Sequence, residues 1–189
     1  MKIRITPGAI LMLAAMLLSR DPLFLATLVA ATVHECGHLL AARRLGVRLR
    51  LFELDVIGAR LFPAGSIPSY RAEVLLAAAG PLFSVLLAVF LLPCGASFAR
   101  EVLAATCSLA LFNLLPVEGF DGWRILGGIL APRLGTERTA SVLAVCCYLS
   151  VFALFCFSSA LLLRHGESLS LTVLCACIFA RTFLVRELT

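Results

Sequence analysis

Charged residues are scarce in this sequence. They make up 14% of the 189 residues, whereas hydrophobic residues make up 61% and the mean hydropathy is +1.04. Soluble domains carry roughly a quarter charged residues, so this composition excludes a conventional soluble domain and predicts a chain that resides in a bilayer. The chain is too short for a membrane core plus a sizeable soluble domain. We therefore expect one integral membrane domain over residues 1–189.

Other absences narrow the class of protein further. The net charge is +5, but the charges lie between apolar runs and not on one basic face, which argues against a nucleic-acid partner and for the lipid bilayer as the partner. The cysteines lie mostly within apolar runs, so they are predicted to be small buried hydrophobic residues and not a disulfide framework. There is no internal repeat, and the apolar runs lack the further polar residues expected of a transporter.

Histidine is rare too, and two of the three histidines form the pattern His34-Glu35-Cys36-Gly37-His38. On a helix, His34 and His38 are one turn apart and leave the same face, so both imidazoles can hold one metal ion. Glu35 lies beside them and can take a proton from a polarised water, as a zinc hydrolase requires. The alternative is a chance match in an apolar helix. Against it, residues 22–42 contain no other acidic, basic or histidine side chain, and such groups are costly within a membrane.

Six apolar segments predict six transmembrane helices. They cover residues 7–19, 22–42, 72–92, 102–115, 139–163 and 169–185. The first follows a short basic start and resembles a signal peptide, but no convincing cleavage motif precedes Arg20, so we expect it to be retained. With six spans, thirteen of the sixteen lysines and arginines fall on one side. This bias predicts a multi-pass membrane protein with both termini in the cytoplasm.

Residues 47–61 show the pattern of a strand instead of a helix. Apolar residues alternate with charged ones, Phe52 breaks the phase as a bulge would, and Gly58 marks a turn. This region is interpreted either as an ordinary surface hairpin or as an exposed edge to which an extended substrate adds as a strand. The predicted fold class is an all-α polytopic membrane protein with a small membrane-associated β-hairpin after the second helix.

A third metal ligand is expected, because a catalytic zinc ion usually has three protein ligands. The remaining histidine, His165, falls on the outer side in this topology. Asp121 follows a break in the fourth span and falls near the depth of His38, which makes it the candidate, although it could instead cap a cytoplasmic helix. Asn113 is polar at membrane depth. It could bind a substrate peptide or tie two helices together.

These motifs, in this order, resemble the site-2 family of intramembrane metalloproteases. The matching residues are His34-Glu35 with His38, Ala79-Gly80-Pro81, Asn113-Leu114-Leu115-Pro116 and Asp121-Gly122. The compact arrangement, over residues 22–130, is most similar to the bacterial stage IV sporulation protein FB group. The resemblance implies one zinc ion per chain, held by His34, His38 and Asp121, with Glu35 as the general base.

The resemblance also implies a substrate class. Members cleave membrane proteins or membrane-associated precursors in or near their transmembrane segments, and in the sporulation group the substrate is an inactive sigma-factor precursor. An inhibitory membrane partner is left open. The competing interpretation is a non-proteolytic membrane binding protein derived from the same fold.

Some features depart from the family pattern. Ser84 stands where many members have asparagine, Gly119 where a second proline is common, and Trp123 in place of a small residue. None is a predicted ligand or the base, so these departures bear on substrate preference more than on activity. Sporulation-type members often carry a cytoplasmic nucleotide-sensing domain after the last span. Nothing follows Thr189, so no such domain and no regulation by ATP are expected here.

Overall fold

A computed structural model describes residues 2–19, 21–55 and 58–165, and the chain divides into two compact units, Met1–Leu114 and Leu115–Thr189. The first unit contains, in chain order, β1 (Lys2–Ile5), α1 (Pro7–Ser19), α2 (Pro22–Arg44), β2 (Leu49–Asp55), β3 (Gly58–Pro63), α3 (Tyr70–Leu91) and α4 (Ser97–Asn113). The second contains α5 (Asp121–Leu134) and α6 (Thr136–His165). The predicted sixth span, residues 169–185, lies outside the described residues.

Local signals in the sequence set the two ends of α2. Asp21 is the N-cap residue, and its Oδ1 accepts a hydrogen bond of 2.9 Å from the backbone N–H of Leu23. Pro22 occupies the first turn, where a missing N–H costs nothing. Arg43 and Arg44 form the last turn, where positive charge interacts favourably with the helix dipole. The result is a helix of 23 residues that carries the predicted motif near its carboxyl end.

Small residues bring α2 and α3 close together. A Cβ atom at Gly37 of α2 would lie 2.5 Å from the carbonyl oxygen of Ala79 and 3.0 Å from Cβ of Phe83. The small residues from Ala77 to Pro81 thus admit a neighbouring helix. α4 packs against both helices with a buried face that consists of Val102, Thr106 and Ala110.

The three strands form one sheet in the order β1-β2-β3. β2 and β3 are antiparallel, so the predicted hairpin is confirmed. β1 pairs in parallel with β2, with Lys2 opposite Leu51, and the sequence analysis did not predict this strand. The predicted bulge position, Phe52, was wrong, because the register shift lies between Leu49 and Leu51.

The second unit is built around the packing of α5 against α6. Its core consists of three buried residues with three partly buried side chains around them: Val117, Cys147 and Val151, then Leu115, Phe120 and Trp123. The segment before α5 contains Gly119 with φ of 97°, a value that favours glycine because a Cβ atom would be strained there. The predicted interruption of the helix before Asp121 is therefore present.

Three helices in the described part of the chain are long and apolar enough to cross a membrane: Pro22–Arg44, Tyr70–Leu91 and Thr136–Arg164. α1 has 13 residues and α4 has 17, whereas a span needs roughly 20. α4 begins at Ser97 and not at the predicted residue 102, because the helix also includes Arg100 and Glu101, the charged residues that precede the predicted apolar segment. Six spans and cytoplasmic termini stay predictions.

The contact at Gly37 generates the first prediction. Gly37→Ala would push a methyl group into the carbonyl of Ala79, so the two helices would have to separate. We expect a loss of about 1–3 kcal/mol in stability, as for other overpacked interiors, measured as a lower thermal unfolding temperature in detergent. The matched control is Gly65→Ala, because a Cβ there meets no atom within 4 Å. An equal effect of both substitutions would contradict the packing argument.

Candidate metal centre

His34 and His38 lie on the buried face of α2. Their side chains are 2% and 5% exposed, and their Nε2 atoms are 3.2 Å apart. The rings meet nearly edge to face, with an interplanar angle of 77°. The structure thus brings these two predicted residues together, with one nitrogen of each ring at a shared position.

The other nitrogen of each ring is held by α3. Nδ1 of His38 lies 2.8 Å from the backbone carbonyl oxygen of Leu76. Because a carbonyl can only accept, this Nδ1 carries the proton, and Nε2 keeps the lone pair that a metal ligand needs. Nδ1 of His34 lies 3.0 Å from Oγ of Ser84, which can accept in the same way. Hydrogen bonds of this kind orient metal-binding imidazoles.

Gly80 of α3 forms the surface against which both imidazoles lie. A Cβ atom at this position would overlap Nε2 of His38 and would stand 2.7 Å from Nε2 of His34. No larger residue fits there without displacing a ring. The backbone of α3 therefore lies immediately beside the two Nε2 atoms. A metal ion held by both nitrogens would have Gly80 on one side.

Asp121 supplies an oxygen donor. It is the first residue of α5 and is 7% exposed. The N-cap residue of that helix is Phe120, so Asp121 does not occupy the capping position that was its alternative role. Among the described residues, the potential ligand atoms of His34, His38 and Asp121 all lie within 4.8 Å of one another. Two imidazole nitrogens and one carboxylate oxygen match the ligand types of catalytic zinc sites, so these residues fit the metal.

Glu35 and Asn113 are the remaining candidate residues. Glu35 is half-buried on α2, next to His34, and its role as general base stays a prediction. Asn113 ends α4, and its Nδ2 donates a hydrogen bond of 3.0 Å to the carbonyl oxygen of Leu109 in the same helix. Its contact with a substrate stays a prediction too.

Two further residues carry atoms that can bind a metal. Cys36 lies between the histidines in sequence, and its side chain is exposed. His165 ends α6, but its side chain lies outside the described part of the chain.

The supporting roles of α3 were not predicted from the sequence. Ser84 was noted only as a departure from a family pattern, whereas the hydroxyl of Ser84 is fully buried and contacts His34. A signal was available: Leu76, Gly80 and Ser84 recur every four residues on one face of α3. This face of α3 lies along the two histidines: Leu76 and Ser84 each meet one Nδ1 atom, and Gly80 lies against both Nε2 atoms.

Two histidines and one aspartate form a buried group of the kind that binds zinc in hydrolases. Because the chain also has helices apolar enough to cross a membrane, the class it fits is that of membrane-embedded metal-binding proteins. Comparison with known proteins narrows the class. Residues 22–106 match the model of peptidase family M50. A zinc metalloprotease of Methanocaldococcus jannaschii is 31% identical over 131 residues, which cover 65% of this chain and 38% of that protein.

A solved structure shares the fold. The site-2 protease from Methanocaldococcus jannaschii matches with a TM-score of 0.65 and 23% identity, over 95% of this chain and 88% of that one. The family model covers residues 22–106, and at 23% identity the solved structure shows a shared fold. The chain spans well under half the length of the curated relative.

The hydrogen bond to His34 generates the second prediction. Ser84→Ala removes the acceptor of the Nδ1 proton, so the ring loses its fixed orientation. We expect zinc affinity to fall by about 10–100-fold, as for other residues that support metal ligands, measured by competition with a chelator. The matched control is Ser158→Ala, because Ser158 is equally buried and its hydroxyl donates a hydrogen bond to the carbonyl oxygen of Phe155 in its own helix. Unchanged affinity in Ser84→Ala would contradict the assigned role.

Proposed function

We propose that this chain is an intramembrane zinc endopeptidase of the site-2 type, which hydrolyses peptide bonds of membrane-associated proteins. The observation that carries the proposal is the group formed by His34, His38 and Asp121, buried in a chain whose sequence matches peptidase family M50. The match to a zinc metalloprotease supports the choice of metal.

The three ligands have separate tasks in this proposal. His34 and His38 present Nε2 because their Nδ1 atoms are engaged by Ser84 and Leu76, and Asp121 adds one negative charge that partly offsets a divalent ion. When bound, zinc supplies Lewis acidity, which polarises a scissile carbonyl and acidifies water.

Glu35 is proposed as the general base. It directly follows a ligand in sequence, so its carboxylate starts from the same turn of α2 as His34. Its carboxylate would accept the proton of the attacking water and then deliver that proton to the nitrogen of the leaving amine, which would otherwise depart as an unstable anion. Both transfers need a carboxylate, and an amide of the same shape cannot perform them.

We further propose that cleavage occurs near the cytoplasmic face of a bacterial membrane. Support comes from the basic last turn of α2, since Arg43 and Arg44 are exposed and follow His38 by less than two turns. Positive residues favour the cytoplasmic border of a span. With a rise of 1.5 Å per residue, the site would lie roughly 7–8 Å from that border.

The substrate is proposed to be a membrane protein or a membrane-associated precursor, with a sigma-factor precursor as the specific candidate that the resemblance to the sporulation group implies. β1 and β3 are the outer strands of the sheet. An extended substrate segment could add to such an edge through backbone hydrogen bonds, which would expose its peptide bonds as cleavage requires.

Glu35→Gln is the third prediction and tests the chemistry. The variant should keep about one zinc ion per chain, because the ligands are intact, and should lose cleavage by at least about 100-fold, which is the lower range for general base catalysis. Cleavage would be followed in cells that express a sigma-factor precursor or a panel of single-span membrane reporters. The matched control is Glu137→Gln, an exposed glutamate in the first turn of α6. Full cleavage by Glu35→Gln would refute the assigned base.

Asp121→Ala is the fourth prediction and tests the metal. Elemental analysis of the detergent-purified wild type should give about one zinc per chain, and the variant should lose most of it, because two ligands bind zinc far more weakly than three. Glu118→Ala is the control, since Glu118 is an exposed acid three residues away. A folded wild type that cannot hold supplied zinc would instead favour a non-proteolytic binding protein.

A further inference from the structure

A basic groove lies beside the paired strands β1 and β2, apart from the candidate metal centre. It is a cavity of about 500 Å³ lined by Lys2, Arg4, Leu49, Arg50 and Leu51. Three of these five residues are cations, two are leucines, and the described lining includes no acidic residue. The volume falls within the roughly 300–1,000 Å³ of small-molecule sites.

The pairing of the strands explains why the cations converge. In the parallel register, Lys2 lies opposite Leu51 and Arg4 lies opposite Glu53, so the two cations of β1 share one face of the sheet. In a regular strand, Arg50 would point away from Leu49 and Leu51. The register shift between those leucines is the kind of irregularity that redirects a side chain, and Arg50 accompanies them in the lining of the groove.

The charge of the groove is only partly neutralised. Nη1 of Arg4 lies 3.6 Å from Oε1 of Glu53, and the side chain of Arg4 is 69% exposed. An ion pair with such an exposed partner is weak and screened by salt. The groove therefore presents net positive charge, with Lys2 and Arg50 also exposed, and an anion is the complementary ligand.

The surroundings of the groove are those of a membrane border. β2 begins at Leu49, shortly after the span α2 ends at Arg44. On β1, Ile3 and Ile5 alternate with the cations and are 68% and 48% exposed. A segment with cations on one face and exposed isoleucines on the other is suited to the boundary between headgroups and acyl chains, and basic clusters next to a span attract anionic lipids.

We propose that the basic groove binds the phosphate headgroup of an anionic phospholipid. The guanidinium groups can bond phosphate oxygens in a bidentate manner, and the leucines of β2 offer apolar contact to the glycerol and the first methylene groups. This proposal depends on residence in a bilayer and not on protease activity, so lipid binding and zinc content or cleavage can fail independently.

The experiment is native mass spectrometry of the full-length chain in a neutral detergent. The protein is titrated with phosphatidylglycerol, with phosphatidylcholine, and with inorganic phosphate alone. The variant is Lys2→Gln with Arg4→Gln and Arg50→Gln. The control removes three exposed cations elsewhere on the predicted cytoplasmic side, by Arg71→Gln, Arg133→Gln and Arg138→Gln. Helix content by circular dichroism and zinc content by elemental analysis are measured for both.

The expected result is a phosphatidylglycerol complex with the wild type that phosphatidylcholine does not reproduce. Each cation near a membrane surface strengthens the binding of anionic lipid by about fivefold, so the groove variant should bind at least about tenfold more weakly and the control should bind as the wild type does. If the triple variant does not fold, the single variants Lys2→Gln and Arg50→Gln should each weaken binding by about fivefold.

Several outcomes would overturn the proposal. Equal loss in the groove variant and the control would show a general effect of net charge. Undiminished lipid binding by the groove variant, or by both single variants, would show that the groove is not the site. Binding of inorganic phosphate as tight as that of phosphatidylglycerol would indicate an anion site without a lipid role. A glutamate-rich peptide could also be added to the phosphatidylglycerol complex. If it displaced the lipid at a concentration below that of the lipid, the ligand would be an acidic polypeptide.

Discussion

The absence of a side chain at Gly80 is the constraint on which the site depends. A Cβ atom there would overlap the imidazole of His38, so the backbone of α3 can lie against both histidines only because the residue is glycine. One turn to either side of Gly80, Leu76 and Ser84 then meet the Nδ1 atoms. The close approach of the helices at Gly37 maintains the same spacing. Packing, imidazole orientation and ligand geometry are thus one property of the α2–α3 contact.

Much of this arrangement could be predicted from the sequence, because its signals are local. The spacing of the histidines and the alternation in residues 47–61 each have a period that identifies an element. The candidate ligand Asp121 was found by comparing depths along predicted spans, and the structure places its carboxylate near the histidine nitrogens. The pairing of Ser84 with His34 was missed, because the four-residue spacing of Leu76, Gly80 and Ser84 identifies a partner only once this face of α3 is known to pack against the histidines of α2.

The features that could not be predicted depend on contacts between distant segments. β1 has four residues, which are too few for a periodic pattern, and it becomes a strand only by pairing with residues about fifty positions later. The register shift next to Arg50 is likewise set by the partner strand, so the alternation within β2 alone placed the bulge at Phe52. The cations of β1 and β2 entered the sequence analysis as indicators of orientation. Once the strands pair, the same residues line a single groove.

The pairing of β1 with β2 also limits how many times the chain can cross the bilayer between these two strands. A hydrogen-bonded sheet cannot be divided by the hydrocarbon core, because each separated strand would leave its backbone groups unsatisfied. The chain between Ile5 and Leu49 must therefore cross the bilayer an even number of times, and if α2 crosses, α1 must cross as well. With 13 residues, α1 is only about 20 Å long, against roughly 30 Å for the hydrocarbon core. The bilayer beside α1 would then be compressed to match the short helix, and any longer apolar helix that arrived there would protrude from the hydrocarbon before it reached the protein.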